Sequence, residues 1–382
     1  MKADIESLET KAIHAGEKPR LLGSVIPPIF QTSMFEFAGT DEDMAYIRYN
    51  NLPNHEILGR KLAELECGEA GLVTASGMSA VSATLLTILA HGGHLLVHRN
   101  IYGGTYGFIV DDLPAYGMSY DFIDTTNPER WQEKLRPETR AIYTETITSP
   151  MMEVPDHPAV TAFAQEHGLL SVVDNTFASP VNYRPIEHGY DLVIHSATKY
   201  LHGHSDVAAG VVVGAREIVK KIHGTLVHLG AHLDPHACFL LHRGIKTLPI
   251  RVRYHNQSAL DLARSLEVHP RVNHVNYPGL NRHPGRLLAE KIMEGFGGML
   301  SFELQGGPEE RKKFLTGLNL PIHAVSLGGV ETLIIEPALT SHVNLSPEAR
   351  QRAGISDNLM RVSVGLENTD DLIADFQRAL SF

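Results

Sequence analysis

The chain has 382 residues, 43% of them hydrophobic and 20% charged, with a formal net charge of -11. That length exceeds one typical domain and suits two domains plus an arm. The acidic balance, with no run of Lys or Arg, argues against a nucleic-acid or anionic-membrane partner, so any anionic ligand must be held by a few placed groups.

In chain order, residues 1–50 lack sustained periodicity and carry a Pro27-Pro28 pair, which predicts an extended arm lying across a partner subunit. From His55 to Glu66, apolar Ile57, Leu58, Leu62 and Leu65 recur at helical spacing. GLVTAS (71–76) reads as a buried strand, followed by a helix through MSAVSATLLTILA. HLLVH (94–98), YDFID (120–124), AIYTET (141–146), LSVVDN (170–175), DLVIHS (191–196) and AAGVVVG (208–214) continue the strand series, with helical stretches such as 158–167 between them. Short apolar, β-branched runs alternating with helices predict an α/β fold with a mainly parallel sheet covered on both faces, here spanning 51–250. After residue 250 a long helix is expected over 251–267. MLSFELQGG, HAVSLGG, TLIIEP and LMRVSVG then alternate less regularly with helices, which reads as a smaller α+β domain over 251–382. The final helix, 370–380, opens on Asp370 and Asp371 and places Leu372, Ile373, Phe376 and Leu380 on one face.

Ligands of parallel sheets sit outside the carboxyl ends of the strands. Four polar clusters stand there: Ser76-Gly77-Met78, Tyr102-Gly103-Gly104, Asp174-Asn175 and Ser196-Ala197-Thr198-Lys199. A glycine between strand and helix lets backbone N–H groups approach a phosphate, although many ordinary turns share that pattern. Asp174 ends an almost wholly apolar strand, where a carboxylate is costly unless a cation or donor meets it; a helix cap is the plainer alternative. Two hydroxyls beside the Lys199 amine fit a phosphate together with a carbonyl to be captured covalently. The 22 histidines are scattered. The pair His202 and His204 comes nearest to a ligand pattern and reads as loop histidines, with no metal expected. Two cysteines, Cys67 and Cys238, cannot build a disulfide framework and point to a reducing, cytoplasmic setting. The opening MKADIESLET is polar and acidic, unlike a secretory signal, and the apolar stretch near 80–90 is about half the roughly 20 residues that span a bilayer.

HSATKYLHGHSD (195–206) closely resembles the pyridoxal-phosphate lysine segment of the Cys/Met metabolism family, which includes cystathionine γ-synthase, cystathionine γ-lyase, methionine γ-lyase and O-acetylhomoserine sulfhydrylase. AIHAGE (12–17), PPIFQTS (27–33), ASGMSAV (75–81), YGGTYG (102–107), VVDNTFASP (172–180), YPGL (277–280), GFGGMLSFEL (295–304), SLGGVETL (326–333) and RVSVGLE (361–367) match in the same order, over nearly the whole chain. The resemblance implies the fold-type I architecture and pyridoxal 5'-phosphate as cofactor. It implies that Lys199 holds the cofactor covalently and that Asp174 pairs with its ring nitrogen. Tyr102 would stack on the ring and serve as an acid/base group. Gly77, Met78, Ser196 and Thr198 would bind the phosphate, joined by Tyr46 and Arg48 from a neighbouring subunit of a homotetramer. Arg361 would hold the α-carboxylate of the amino-acid substrate, where a planar fork suits a bidentate pair, and Ser326 would support the lysine and the substrate end.

Three positions depart from the family pattern: Ser149 stands where an Asn is usual, Gly104 where methionine γ-lyases carry Cys, and Val325 where cystathionine-handling members often carry Glu. The implied reaction is γ-elimination on a sulfur-containing amino acid, with γ-replacement as the alternative. A cofactor-binding protein without turnover is the reading from outside the enzyme class. A Rossmann-type nucleotide binder lacks its G-x-G-x-x-G turn here.

Overall fold

The computed structural model describes residues 7–18, 20–36, 45–341, 343, 350 and 354–381. Seven strands form the first sheet: β1 (Ala70–Thr74), β2 (His94–His98), β3 (Ser119–Ile123), β4 (Thr139–Glu145), β5 (Leu170–Asp174), β6 (Leu192–Ser196) and β7 (Gly210–Gly214). Their order is β1-β7-β6-β5-β4-β2-β3. Pairing is parallel from β6 through β3, and only β7 runs against its neighbours β1 and β6. Successive residues of these strands enter opposite cores: Val172 and Ile194 pack on one face, Val173 and Val193 on the other. Period-two burial on both faces explains why the strands read as unbroken apolar runs.

The second sheet holds β8 (Val272–Asn276), β9 (Met299–Leu304), β10 (Ile322–His323), β11 (Leu333–Ile335) and β12 (Leu359–Ser363), in the order β10-β11-β12-β9-β8. Leu300, Phe302, Met360 and Val362 form its core with Leu262 and Leu266 of the helix Leu248–Glu267 and with Leu372 and Phe376 of the helix Thr369–Ala379. Asn368 caps that last helix, its side chain accepting from the amides of Asp370 and Asp371. Of the 323–329 stretch only His323 belongs to a strand. The rest turns away at Gly328, whose φ of +72° is left-handed, and carries Ser326 toward the first sheet.

Within residues 1–50 the helix Leu8–His14 packs with Ala12 fully buried. It is held by the buried Lys61, whose Nζ donates to the carbonyls of Ala12 and Ile13 at 2.9 and 3.1 Å. Burial above all pushes the Lys61 amine down to about 8, against the pull of Glu17. Leu22, Val25 and Met34 further along are exposed. Among the described residues no helix is long and apolar enough to cross a membrane.

Candidate active site

The carboxyl ends of β4, β5 and β6 and the turn after β1 open into one cavity of about 280 Å³. It gathers Gly77, Met78, Tyr102, Asp174, Ser196, Thr198, Lys199, Ser326 and Arg361, residues spread over more than 280 positions of the chain. Ser149 and Val325 also line it. Tyr46 and Arg48 do not: the Arg48 guanidinium lies 4.7 Å from the Tyr49 ring centroid and donates to the Val227 carbonyl at 3.4 Å. His202 and His204 belong to no metal-binding cluster, and no group of three or more His, Cys, Asp or Glu suited to a metal occurs among the described residues.

One end of the cavity is shaped for an anion. Ser76 caps the helix Gly77–Ile88, its hydroxyl accepting from the Ser79 amide at 3.1 Å. The amides of Gly77 and Met78, in the first turn, have no carbonyl before them in the helix to bond, and the helix dipole adds positive potential. A Cβ at Gly77 would stand 2.7 Å from the Ser196 Cβ, so glycine is what lets this helix end close on Ser196. A phosphate fits a cradle of backbone amides and a serine hydroxyl. The Thr198 hydroxyl beside it is braced by Ala209, donating to its carbonyl at 3.2 Å and accepting from its amide at 3.0 Å.

At the cavity floor Asp174 is held by Thr176. Its Oδ1 accepts from the Thr176 amide at 3.0 Å and the Thr176 hydroxyl at 2.5 Å, and that hydroxyl accepts from the Ser196 amide at 2.8 Å. Burial raises the Asp174 carboxyl above its ordinary range, and the Thr176 hydrogen bonds and His195 oppose the rise. Glu145 stands in register beside it on β4 and accepts the Tyr102 amide at 2.5 Å. Burial, then the charge of Asp174, pushes the Glu145 carboxyl well up. A half-buried carboxylate at the end of a strand suits a protonated ring nitrogen, which would supply the missing countercharge.

The opposite wall is cationic. Lys199 Nζ donates to the Ser326 hydroxyl at 2.9 Å. Burial, then the charge of Arg361, pulls its amine down to about 8 from an ordinary 10.5. Arg361 is buried on β12, where it donates to the Ser149 hydroxyl at 3.2 Å and the Ser326 carbonyl at 3.4 Å. No carboxylate pairs with it among the described residues, and burial lowers it to about 10. A buried guanidinium with only neutral oxygens around it is poised for a ligand carboxylate.

Tyr102 is half exposed at the mouth, its ring lying over Gly104, where an added Cβ would meet it at 2.5 Å. Any side chain at 104 would therefore displace this ring. Val325 is largely exposed and presents an apolar edge to the cavity.

Sequence reasoning missed Glu145, Thr105, Thr176 and Phe177 among the lining residues. The signal for Glu145 was present: like Asp174, it is a charge that ends an apolar strand. Thr176 carries no such signal, since its role arises from a turn that folds it back onto Asp174.

The sequence profile of the Cys/Met metabolism PLP-dependent enzymes matches residues 9–381. An L-methionine gamma-lyase of Fusobacterium nucleatum subsp. nucleatum is 42% identical, aligned over 100% of this chain and 99% of its own. A cystathionine beta-lyase of Lactococcus lactis subsp. cremoris is 40% identical over 98% of this chain and 99% of its own. The crystal structure of cystathionine gamma synthase from Xanthomonas oryzae pv. oryzae, in complex with aminoacrylate and cysteine, superposes with a TM-score of 0.95 at 38% identity, covering 98% of each chain.

Proposed function

Because this chain belongs to the Cys/Met metabolism PLP-dependent enzyme family, we propose that it catalyses γ-elimination on a sulfur-containing amino acid, releasing a 2-oxo acid, ammonia and a thiol. It is a pyridoxal-phosphate-dependent enzyme of sulfur amino-acid metabolism. The observation that carries the reading is the meeting, in one cavity, of the Lys199 amine held by Ser326, the half-buried Asp174 carboxylate and the buried Arg361 guanidinium, which has no acid partner among the described residues.

The cofactor, when bound, supplies an electron sink that makes the Cα and Cβ protons of a bound amino acid labile. Lys199 would hold it, and its free amine would take the Cα proton of the bound substrate. Asp174 would pair with the ring nitrogen. The Gly77 and Met78 amides with Ser196 and Thr198 would take the phosphate. Arg361 binds the α-carboxylate and thereby aims Cα at the Lys199 amine, while Ser326 orients that amine. Tyr102, at the mouth, hands a proton to the departing sulfur. Val325 gives the cavity an apolar edge, which suits a thioether side chain.

The second reading is γ-replacement, in which a thiol takes the place of the departing group; the likeness to a cystathionine gamma synthase supports it. Cystathionine, methionine, homocysteine and O-acetylhomoserine, each with and without an added thiol, separate the two. Elimination predicts 2-oxo acid and ammonia in the absence of thiol, with methanethiol from methionine. Release of 2-oxo acid from none of the four, with a new thioether formed only when thiol is added, would overturn elimination in favour of replacement.

We assign residues 1–50 to an arm that reaches a neighbouring subunit, 51–250 to the cofactor-binding domain and 251–382 to a C-terminal domain, in a cytoplasmic homotetramer built from dimers. Tyr46 and Arg48 stand outside this chain's own cavity, as cross-subunit phosphate binders would. Lys199→Ala and Arg48→Ala proteins, each inactive alone, should complement when dissociated and reassociated together. A mixed dimer then has one intact site and one doubly defective site. Random pairing makes about half the dimers mixed, so activity should recover to roughly a quarter of wild type. No recovery, with mixed dimers shown to form, rejects the shared site.

A further inference from the structure

Arg251 is a second buried guanidinium, 5% exposed, on the helix Leu248–Glu267. Nη1 donates to the Tyr200 carbonyl at 2.8 Å. Nη2 donates to the Gly244 carbonyl at 2.8 Å and the Leu201 carbonyl at 3.4 Å, and Nε donates to the Thr247 hydroxyl at 3.1 Å. No carboxylate pairs with it among the described residues, and burial pushes it down to about 10. The titratable groups facing it are His202 and His255, both lowered, by burial first and by the charge of Arg251 among the lesser causes. A buried cation without an anion is costly, so the three carbonyls it collects are the feature to explain.

Two of those carbonyls belong to the residues immediately after Lys199. The lysine sits in a tight turn, closed by Lys199 N to Ser196 O at 3.1 Å, His202 N to Ala197 O at 3.1 Å and Gly203 N to Lys199 O at 2.8 Å. This turn is packed on two sides. A Cβ at Gly203 would overlap the Arg251 guanidinium, and one at Gly328 would stand 2.7 Å from the Tyr200 amide. The Ser326–Gly329 segment therefore presses on the turn from one side, while Arg251 grips its carbonyls from the other.

We propose that Arg251 is a positioning residue for Lys199: its planar fork fixes the carbonyls that follow the lysine, so that Nζ is delivered into the cavity onto Ser326. The helix that carries Arg251 packs into the core of the second sheet, so the clamp ties that core to the reactive amine. The inference rests on Lys199 being the reactive amine, and its test reads that amine without any turnover.

The experiment is acylation of Lys199 against pH in the full chain stripped of cofactor, followed by peptide mass mapping, with thermal unfolding measured alongside. In the wild type the rate should rise with a midpoint near the depressed value of about 8. In Arg251→Met the freed turn lets the amine reach water, and the midpoint should move up by about one unit, a tenfold smaller neutral fraction at pH 7. Arg251→Lys keeps the charge but not the fork, and should move it by at least half as much. A midpoint unchanged in both variants, even with lowered thermal stability, makes Arg251 a packing residue and overturns the proposal. A shift in Arg251→Met that Arg251→Lys fully reverses assigns the effect to charge alone and also overturns it. If Arg251→Met does not fold, Arg251→Lys decides: a raised midpoint supports the clamp and an unchanged one rejects it.

Discussion

Lys199→Ala is expected to reduce turnover by on the order of a thousandfold or more, because one side chain holds the cofactor and moves the substrate proton. Borohydride reduction of the wild-type holoenzyme followed by peptide mapping should place the pyridoxyl label on Lys199. A label on another lysine, or a Lys199→Ala protein of near-normal rate, sinks the assignment. Lys61 is depressed as far, but its amine is spent on the carbonyls of Ala12 and Ile13, whereas Lys199 lines the cavity: at about 8, roughly one amine in ten is neutral at pH 7, some three hundredfold more than for an ordinary lysine. The same depression has a sign in stability. A lysine whose folded value lies below its unfolded value disfavours the folded state at low pH, where it must be charged. That penalty is relieved as the pH rises from about 8 toward 10.5. Cofactor-free wild type should therefore gain thermal stability across that window relative to Lys199→Met, and a parallel pH profile for the two would contradict the depressed value.

Arg361→Ala should weaken substrate binding while leaving cofactor affinity nearly unchanged. The guanidinium is buried, and its partners in this structure are the Ser149 hydroxyl and the Ser326 carbonyl, neither of which neutralises it. A substrate carboxylate would supply that charge, and truncating one side of such a buried pair costs about 2–5 kcal/mol. The loss should fall mainly on KM for amino acids bearing the α-carboxylate, measured beside the dissociation constant of pyridoxal phosphate. The structural alternative makes the opposite forecast. If Arg361 merely braces Ser149 and Ser326, the variant loses thermal stability and keeps its KM. Removing an unpaired buried charge should instead leave stability close to wild type, since the desolvation cost disappears with it.

The chain's local patterns were enough to predict the alternation of strand and helix, the carboxyl ends at which chemistry gathers, and the segment around Lys199. Strands buried on both faces appear as continuous apolar runs, and a polar residue closing such a run stands out without any partner being known. Asp174 was legible for that reason, and Glu145 carried the same mark; Lys199, three residues past the end of its strand, was singled out by the hydroxyls beside it and above all by the resemblance of its segment to the family's lysine motif. The helix Leu8–His14 was not legible, because seven residues are too short for a period to show and packing on the helix Pro53–Glu66 holds it in place. Strand order, with β7 alone reversed, and the shape of the 324–329 loop were likewise set by packing. What the tertiary structure decided is which polar groups meet. Arg361 finds Ser149 across 212 positions, Lys199 finds Ser326 across 127, and Arg251 closes on the lysine turn from about 50 residues away. No local period encodes these meetings; they follow from two separately packed sheets brought together at one cavity. The depressed lysine and the unpaired arginine are properties of that burial, not of the residues themselves.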